Sequence, residues 1–182
     1  MDITRLHSRL YLGPFLCEHG FMGRGVEVGT FRGEFAADLL SKWPGRLICI
    51  DPWETMHDHE YLDGCNRANM DQIHQDALVR LATYGDRVEL CRMRSADAHH
   101  SIPDESLEFV YLDGNHDFPH ASEDFENFWP KIRPGGILGM HDCYNRNDDA
   151  QRCGVWDVVW EMARTLNQKP HLTHCTSAWF QK

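Results

Sequence analysis

Short apolar runs alternate with stretches of helical period along this chain. RGVEVG (24–29), RLICID (46–51), RVELC (87–91), LEFVYLD (107–113) and GILGMHD (136–142) are short apolar runs rich in branched residues, so they read as strands buried on both faces. Between them Phe31, Phe35 and Leu39 recur every four residues, and Met70, Ile73, Ala77, Leu81 and Tyr84 every three or four, the spacing of one helix face. Phe118, Phe125 and Phe128 mark another face, which closes at Trp129 because Pro130 disfavours helix in the residue before it. Val155, Val158, Val159, Met162 and Leu166 carry a last helix. The tail PHLTHCTSAWFQK is β-rich with a turn near Thr176 and Ser177, which predicts a closing hairpin.

This alternation predicts an α/β fold: a mainly parallel sheet covered by helices on both faces, seven strands with the hairpin, the last antiparallel. No repeat, low-complexity tract or linker divides the chain, so residues 1–182 are expected to form one domain, with 1–20 a short helical extension. RPGG (133–136) forces a turn into the fifth strand. The least regular stretch, PWETMHDHEYLDGCN (52–66), is a candidate lid.

Composition narrows the partners. With 42% hydrophobic and 25% charged residues the chain is an ordinary folded protein. A formal charge of -10, with no Lys/Arg-rich run, repels phosphate backbones, so nucleic acid is not an expected partner. The seven cysteines are scattered and include no C-x-x-C pair, which argues against a disulfide framework or zinc knuckle and for reduced thiols in a cytoplasmic protein. The start MDITRLHSRLYLG has no basic segment leading into an apolar core, and no eighteen-residue apolar run occurs, so neither export nor a membrane span is expected.

In open α/β sheets ligands bind outside the carboxyl ends of the strands. The first strand runs into EVGTFRGE, where Glu27, Gly29 and Gly33 are spaced E-x-G-x-x-x-G around Thr30 and Phe31. Gly29 permits close approach of a ligand to the main chain, and Gly33 opens a helix whose N–H groups would face it. The second strand ends in Asp51, followed by Pro52 and Trp53, at the distance where an acid accepts hydrogen bonds from ribose hydroxyls. After the third strand stand Ser95, Ala96 and Asp97, suited to an adenine edge. Singly these are also a packing turn, a solvated aspartate and a helix cap; together they describe a pocket for a ribose-bearing ligand, without distinguishing a sulfonium cofactor from a dinucleotide.

VEVGTFRGEFAADLL, ICIDPW, FVYLDGNHDFPHASEDFENFWPKIRPGGILGMHDC and, more loosely, GVWDVVWE with SAWFQK resemble the class I S-adenosylmethionine-dependent methyltransferases. The resemblance is to the small-molecule O-methyltransferase group that includes macrocin methyltransferases and cephalosporin-hydroxylase-type proteins. It implies a Rossmann-like sheet with S-adenosylmethionine lying across Glu27 to Gly33, its ribose on Asp51 and its adenine beside Ala96 and Asp97. It also implies a small-molecule acceptor, such as a sugar or other hydroxylated metabolite.

Methyl transfer to an alcohol needs the oxygen in line with the methyl and its proton removed, or its pKa lowered. Asp113 closes the fourth strand, and His141 with Asp142 the fifth, so these side chains converge if the strands are neighbours. Many members of the resembling group bind Mg²⁺ at the Asp113 position and at an acidic pair matching 141 and 142. Here His141 replaces one carboxylate, a donor set that also suits Mn²⁺, Fe²⁺ or Zn²⁺. Alternatively His116 or His141 serves as a metal-free base. Asp117, before Phe118 and Pro119, reads as a helix cap. Substrate walls would come from the 52–66 loop, the 143–153 loop or the second subunit of a homo-oligomer.

Two other functions fit parts of this pattern. GNHD matches one block of calcineurin-like metallophosphoesterases, but the other blocks are missing or out of order. A non-catalytic nucleoside-binding domain would keep the Glu27 to Asp51 features without needing Asp113, His116 or Asp142.

Overall fold

The computed structural model describes residues 1–54, 69–143, 154–174 and 176–182. The five apolar runs are strands: β1 (Arg24–Val28), β2 (Arg46–Ile50), β3 (Val88–Cys91), β4 (Leu107–Leu112) and β5 (Ile132–Met140). With β6 (His171–Leu172) and β7 (Ala178–Gln181) they form one sheet in the order β3-β2-β1-β4-β5-β7-β6. The pairings from β3 through β5 are parallel, and β7 alone runs against its neighbours β5 and β6. Strand order reverses between β1 and β4, because β2 and β3 lie to one side of β1 and β4 and β5 to the other.

The helices are α1 (Leu12–Glu18), α2 (Glu34–Lys42), α3 (Met70–Leu81), α4 (Ser95–Ala98), α5 (Phe118–Phe128) and α6 (Val155–Thr165). Successive strand side chains point to opposite faces, so Val110 and Leu112 of β4 enter one apolar layer and Phe109 and Tyr111 the other. The first layer packs under α5 and α6 through Phe125, Phe128, Val158 and Val159. The second packs under α1 and α2 through Leu12, Phe15, Leu39 and Leu40.

Local chemistry moves several boundaries. Phe31 lies outside α2, at φ 49° and exposed, because its N–H is held by the Asp51 carboxylate while Gly33 N bonds Thr30 O to close a turn. Tyr84 leaves α3 for a 3-10 segment, Ala82–Arg87, that bends at Gly85. The RPGG turn is a bulge inside β5: Leu107 pairs with Ile132 but Phe109 with Ile137, so two residues of advance on β4 face five on β5, with Gly135 at φ 82°. The 52–66 loop from residue 55, and the 143–153 loop from residue 144, lie outside the described residues.

Candidate active site

The backbone ladder continues one residue past each parallel strand. Gly29 N donates to Ile50 O (2.8 Å), Asp51 N to Cys91 O (3.2 Å), Asp113 N to Val28 O (2.8 Å) and His141 N to Leu112 O (2.9 Å). Register therefore sets Gly29, Asp51, Asp113 and His141 side by side on the carboxyl edge, at the point where strand order reverses. There the chain turns sharply, with positive φ at Gly29 (87°), Phe31 (49°), Gly33 (71°), Trp53 (45°) and Asp142 (57°). For the non-glycine residues such angles cost on the order of 1 kcal/mol each or more, and they cluster where ligands are handled.

On the β1 and β2 side, Asp51 Oδ2 accepts from Phe31 N (2.8 Å) and Oδ1 from Trp53 N (2.7 Å), fixing the carboxylate's orientation. Burial raises its pKa although these N–H groups oppose the shift. The Trp53 indole, buried and donating to Phe31 O at 2.8 Å, ties the two loops on either side of Asp51 together, with Pro52 between. Glu27 is 2% exposed, beside the buried Thr30, and among the described residues its Oε2 meets no well-aligned donor. Burial pushes the Glu27 carboxyl to about 8, with Asp113 and Asp51 adding to the shift and Thr30 opposing it, so it is protonated at neutral pH. Ala96 and Asp97 sit on α4 after β3, the strand beyond β2 at the sheet edge.

On the β4 and β5 side, Asp113, His116, His141 and Asp142 each offer a ligand atom, all within 4.8 Å of one another. His116 Nε2 lies 3.3 Å from Asp113 Oδ1, and its Nδ1 3.6 Å from Asp142 Oδ2. His141 Nδ1 is 3.2 Å from Asp113 Oδ1 and 3.1 Å from Asp142 Oδ1, aligned for a hydrogen bond with neither, so the attraction is ionic. Burial alone would lower the His141 pKa, but the two carboxylates outweigh it and raise it to about 9. Burial likewise acts to raise Asp113, and the two imidazoles reverse this and hold it at about 2. Asp117 is the N-cap of α5, its carboxylate accepting from His120 N at 3.0 Å.

Two residues join the site without having been read from the sequence. Arg9 Nη1 reaches Asp113 Oδ2 at 2.9 Å across 104 residues of chain, a separation no local pattern reveals. Thr176, at φ 57° in the β6–β7 turn, places Oγ1 3.4 Å from His141 Nε2 and 3.5 Å from Asp142 Oδ1. Its turn is legible in the sequence; its aim at His141 is not.

Residues 26–143 match the family model of a methyltransferase domain. The uncharacterized protein y4gI of Sinorhizobium fredii is 28% identical over 149 residues, 77% of this chain, and the chain spans 15% of that protein's length. The O-methyltransferase TomG of Streptomyces achromogenes, involved in tomaymycin synthesis and solved with S-adenosylmethionine, superposes with a TM-score of 0.65 at 19% identity, over 96% of this chain and 79% of its own. An O-methyltransferase of Bacillus cereus solved with S-adenosylhomocysteine gives 0.63 at 14% identity, over 96% and 80%. At these identities the likeness is one of fold.

Proposed function

Because the chain belongs to the methyltransferase-domain family, we propose that it transfers a methyl group from S-adenosylmethionine to a hydroxyl of a small molecule. The observation that carries this reading is the row Gly29, Asp51, Asp113, His141 on one sheet edge, with an oriented acid at the ribose position and an acid–imidazole cluster two strands away. The two O-methyltransferases of similar fold were solved with this cofactor and its product, which supports the same choice here.

The cofactor, when bound, supplies an electrophilic methyl on a sulfonium. Asp51, its orientation fixed by two N–H groups, turns its remaining acceptor capacity to the ribose hydroxyls. The turn from Gly29 to Gly33 lets the ligand lie against the main chain, with Ala96 and Asp97 at the adenine end. His116 is the proton acceptor, its ring set between Asp113 Oδ1 at 3.3 Å and Asp142 Oδ2 at 3.6 Å, two carboxylates that offset the charge once the proton arrives. His141, with its pKa near 9, is an imidazolium at neutral pH and acts there as a fixed positive charge, not as a base.

Two carboxylates and two imidazoles with donors this close also fit a divalent cation, Mn²⁺ as readily as Mg²⁺, held by Asp113, His141 and Asp142. Bound there, a cation would lower the pKa of the acceptor hydroxyl. His141 would first have to lose its proton, so affinity would rise with pH. A phosphoesterase is not favoured, since β1 ends at Val28 and runs into Gly29 and Thr30, without the D-x-H that family places there. We place the protein in the cytoplasm on its composition; among the described residues no helix is long and apolar enough to cross a membrane.

Calorimetric titration with S-adenosylmethionine, S-adenosylhomocysteine and NAD, with and without Mg²⁺ or Mn²⁺, tests the reading. We expect both sulfur compounds to bind and NAD not to; absence of binding by either sulfur compound overturns it. Asp113→Asn should then lower methyl transfer by about 10²–10⁴-fold while S-adenosylhomocysteine still binds, whereas a domain that only binds nucleosides has no transfer to lose.

A further inference from the structure

Arg9 enters the site from outside the sheet. It opens a 3-10 turn, Arg9–Tyr11, that Ser8 caps by accepting from Leu10 N, and the turn leads directly into α1, whose Leu12, Phe15 and Leu16 are buried against α2. The Arg9 side chain is 30% exposed, pairs with one oxygen of Asp113 at 2.9 Å, and lays its guanidinium 5.6 Å from the centre of the Phe35 ring in the first turn of α2. The other Asp113 oxygen faces His116 and His141. A planar guanidinium held between a strand end and the helix start just beyond Gly33 is placed to meet a carboxylate on a ligand lying over that turn.

S-adenosylmethionine has three arms on its sulfur. On the reading above, its nucleoside would point to Asp51 and β3, and its methyl to the cluster on β4 and β5. The third arm, an amino-acid tail, is left the space over the turn from Gly29 to Gly33 into α2, which Arg9 borders. We propose that Arg9 binds the α-carboxylate of this tail, making it a positioning residue for the cofactor and the group that separates S-adenosyl amino acids from tail-less adenosine thioethers. This rests on the S-adenosylmethionine reading above. The same contact explains why a basic side chain is held over Asp113, where it neutralises a carboxylate that would otherwise repel the tail.

The test compares two ligands differing only in the tail, S-adenosylhomocysteine and 5′-methylthioadenosine, titrated calorimetrically into the wild type, Arg9→Gln and Arg9→Lys. We expect Arg9→Gln to weaken S-adenosylhomocysteine by about 10- to 100-fold, Arg9→Lys to lose part of that, and 5′-methylthioadenosine to change by less than about twofold in both. Unaltered 5′-methylthioadenosine binding also reports that each variant is folded, and Arg9→Lys decides the matter if Arg9→Gln does not fold. Equal losses for both ligands, or no loss for either, overturn the inference while leaving the S-adenosylmethionine reading in place. A wild type that binds neither ligand overturns both.

Discussion

Asp113 is contacted from three sides, by Arg9 at Oδ2 and by His116 and His141 at Oδ1, and although burial acts to raise its pKa, the two imidazoles keep this carboxylate ionised. The reciprocal effect falls on His141, raised to about 9 against an unfolded value of about 6.5. Between these values the folded protein binds more protons than the unfolded chain, so this stabilisation is fully present below pH 6.5 and is lost as pH rises through 9. Imidazole NMR of the metal-free protein should therefore show His141 titrating near 9, and Asp113→Asn should move it down; an unmoved midpoint would mean that Asp142 alone sets it. Glu27 is the opposite kind of group, an acid whose folded value of about 8 exceeds its unfolded one. Its burial costs stability increasingly as pH rises from about 4.3 toward 8. Glu27→Gln should raise unfolding free energy at pH 8 by on the order of 1–3 kcal/mol, with little change near pH 4, in urea titrations at the two pH values. We expect the same variant to weaken S-adenosylhomocysteine, because this carboxyl lies two residues before Gly29, which opens the turn proposed to hold the cofactor.

The elements show which parts of the site the sequence makes legible. Asp113, His141 and Asp142 could be named beforehand because each follows an apolar run directly, and a strand's end can be read from where its pattern stops. Phe31 could not be taken off α2 by its four-residue spacing, since what removes it is a hydrogen bond to Asp51, twenty positions away. The β5 bulge was half legible: Pro134 and Gly135 announce a turn, but only pairing with β4 shows that Ile132 already belongs to the strand. Gly29 joins two elements. A Cβ there would stand 2.0 Å from Asp113 O, at a φ of 87° that side chains rarely adopt. Gly29→Ala should cost about 2–4 kcal/mol, read as a lowered urea midpoint with unchanged slope. Because the clash falls on the Asp113 backbone, methyl transfer should fall further than that stability loss explains.

Periodicity gives the number and kind of strands but not their order, which is why the convergence of Asp113 with His141 and Asp142 stayed conditional until β4 and β5 were seen to pair. The order β3-β2-β1-β4-β5-β7-β6 has a consequence at the scale of the molecule. The proposed cofactor contacts lie on the ends of β1, β2 and β3, and the acid–imidazole cluster on β4 and β5, with Thr176 joining from the β6–β7 turn. Both apolar layers run across these strands: one holds Val26, Ile48, Val110, Leu138 and Phe180, the other Leu47, Phe109, Ile137 and Trp179. Neither half of the sheet then keeps a complete core when the other unfolds, and a ligand on one half should stabilise both. S-adenosylhomocysteine at a hundred times its Kd should add about 2.7 kcal/mol, which for a domain of this size is a rise in Tm of about 5–10 °C. Calorimetry should show a single transition that moves as a whole. Two transitions, with only the earlier one moving, would mean that the sheet divides at the β1–β4 junction and that the cofactor half folds on its own.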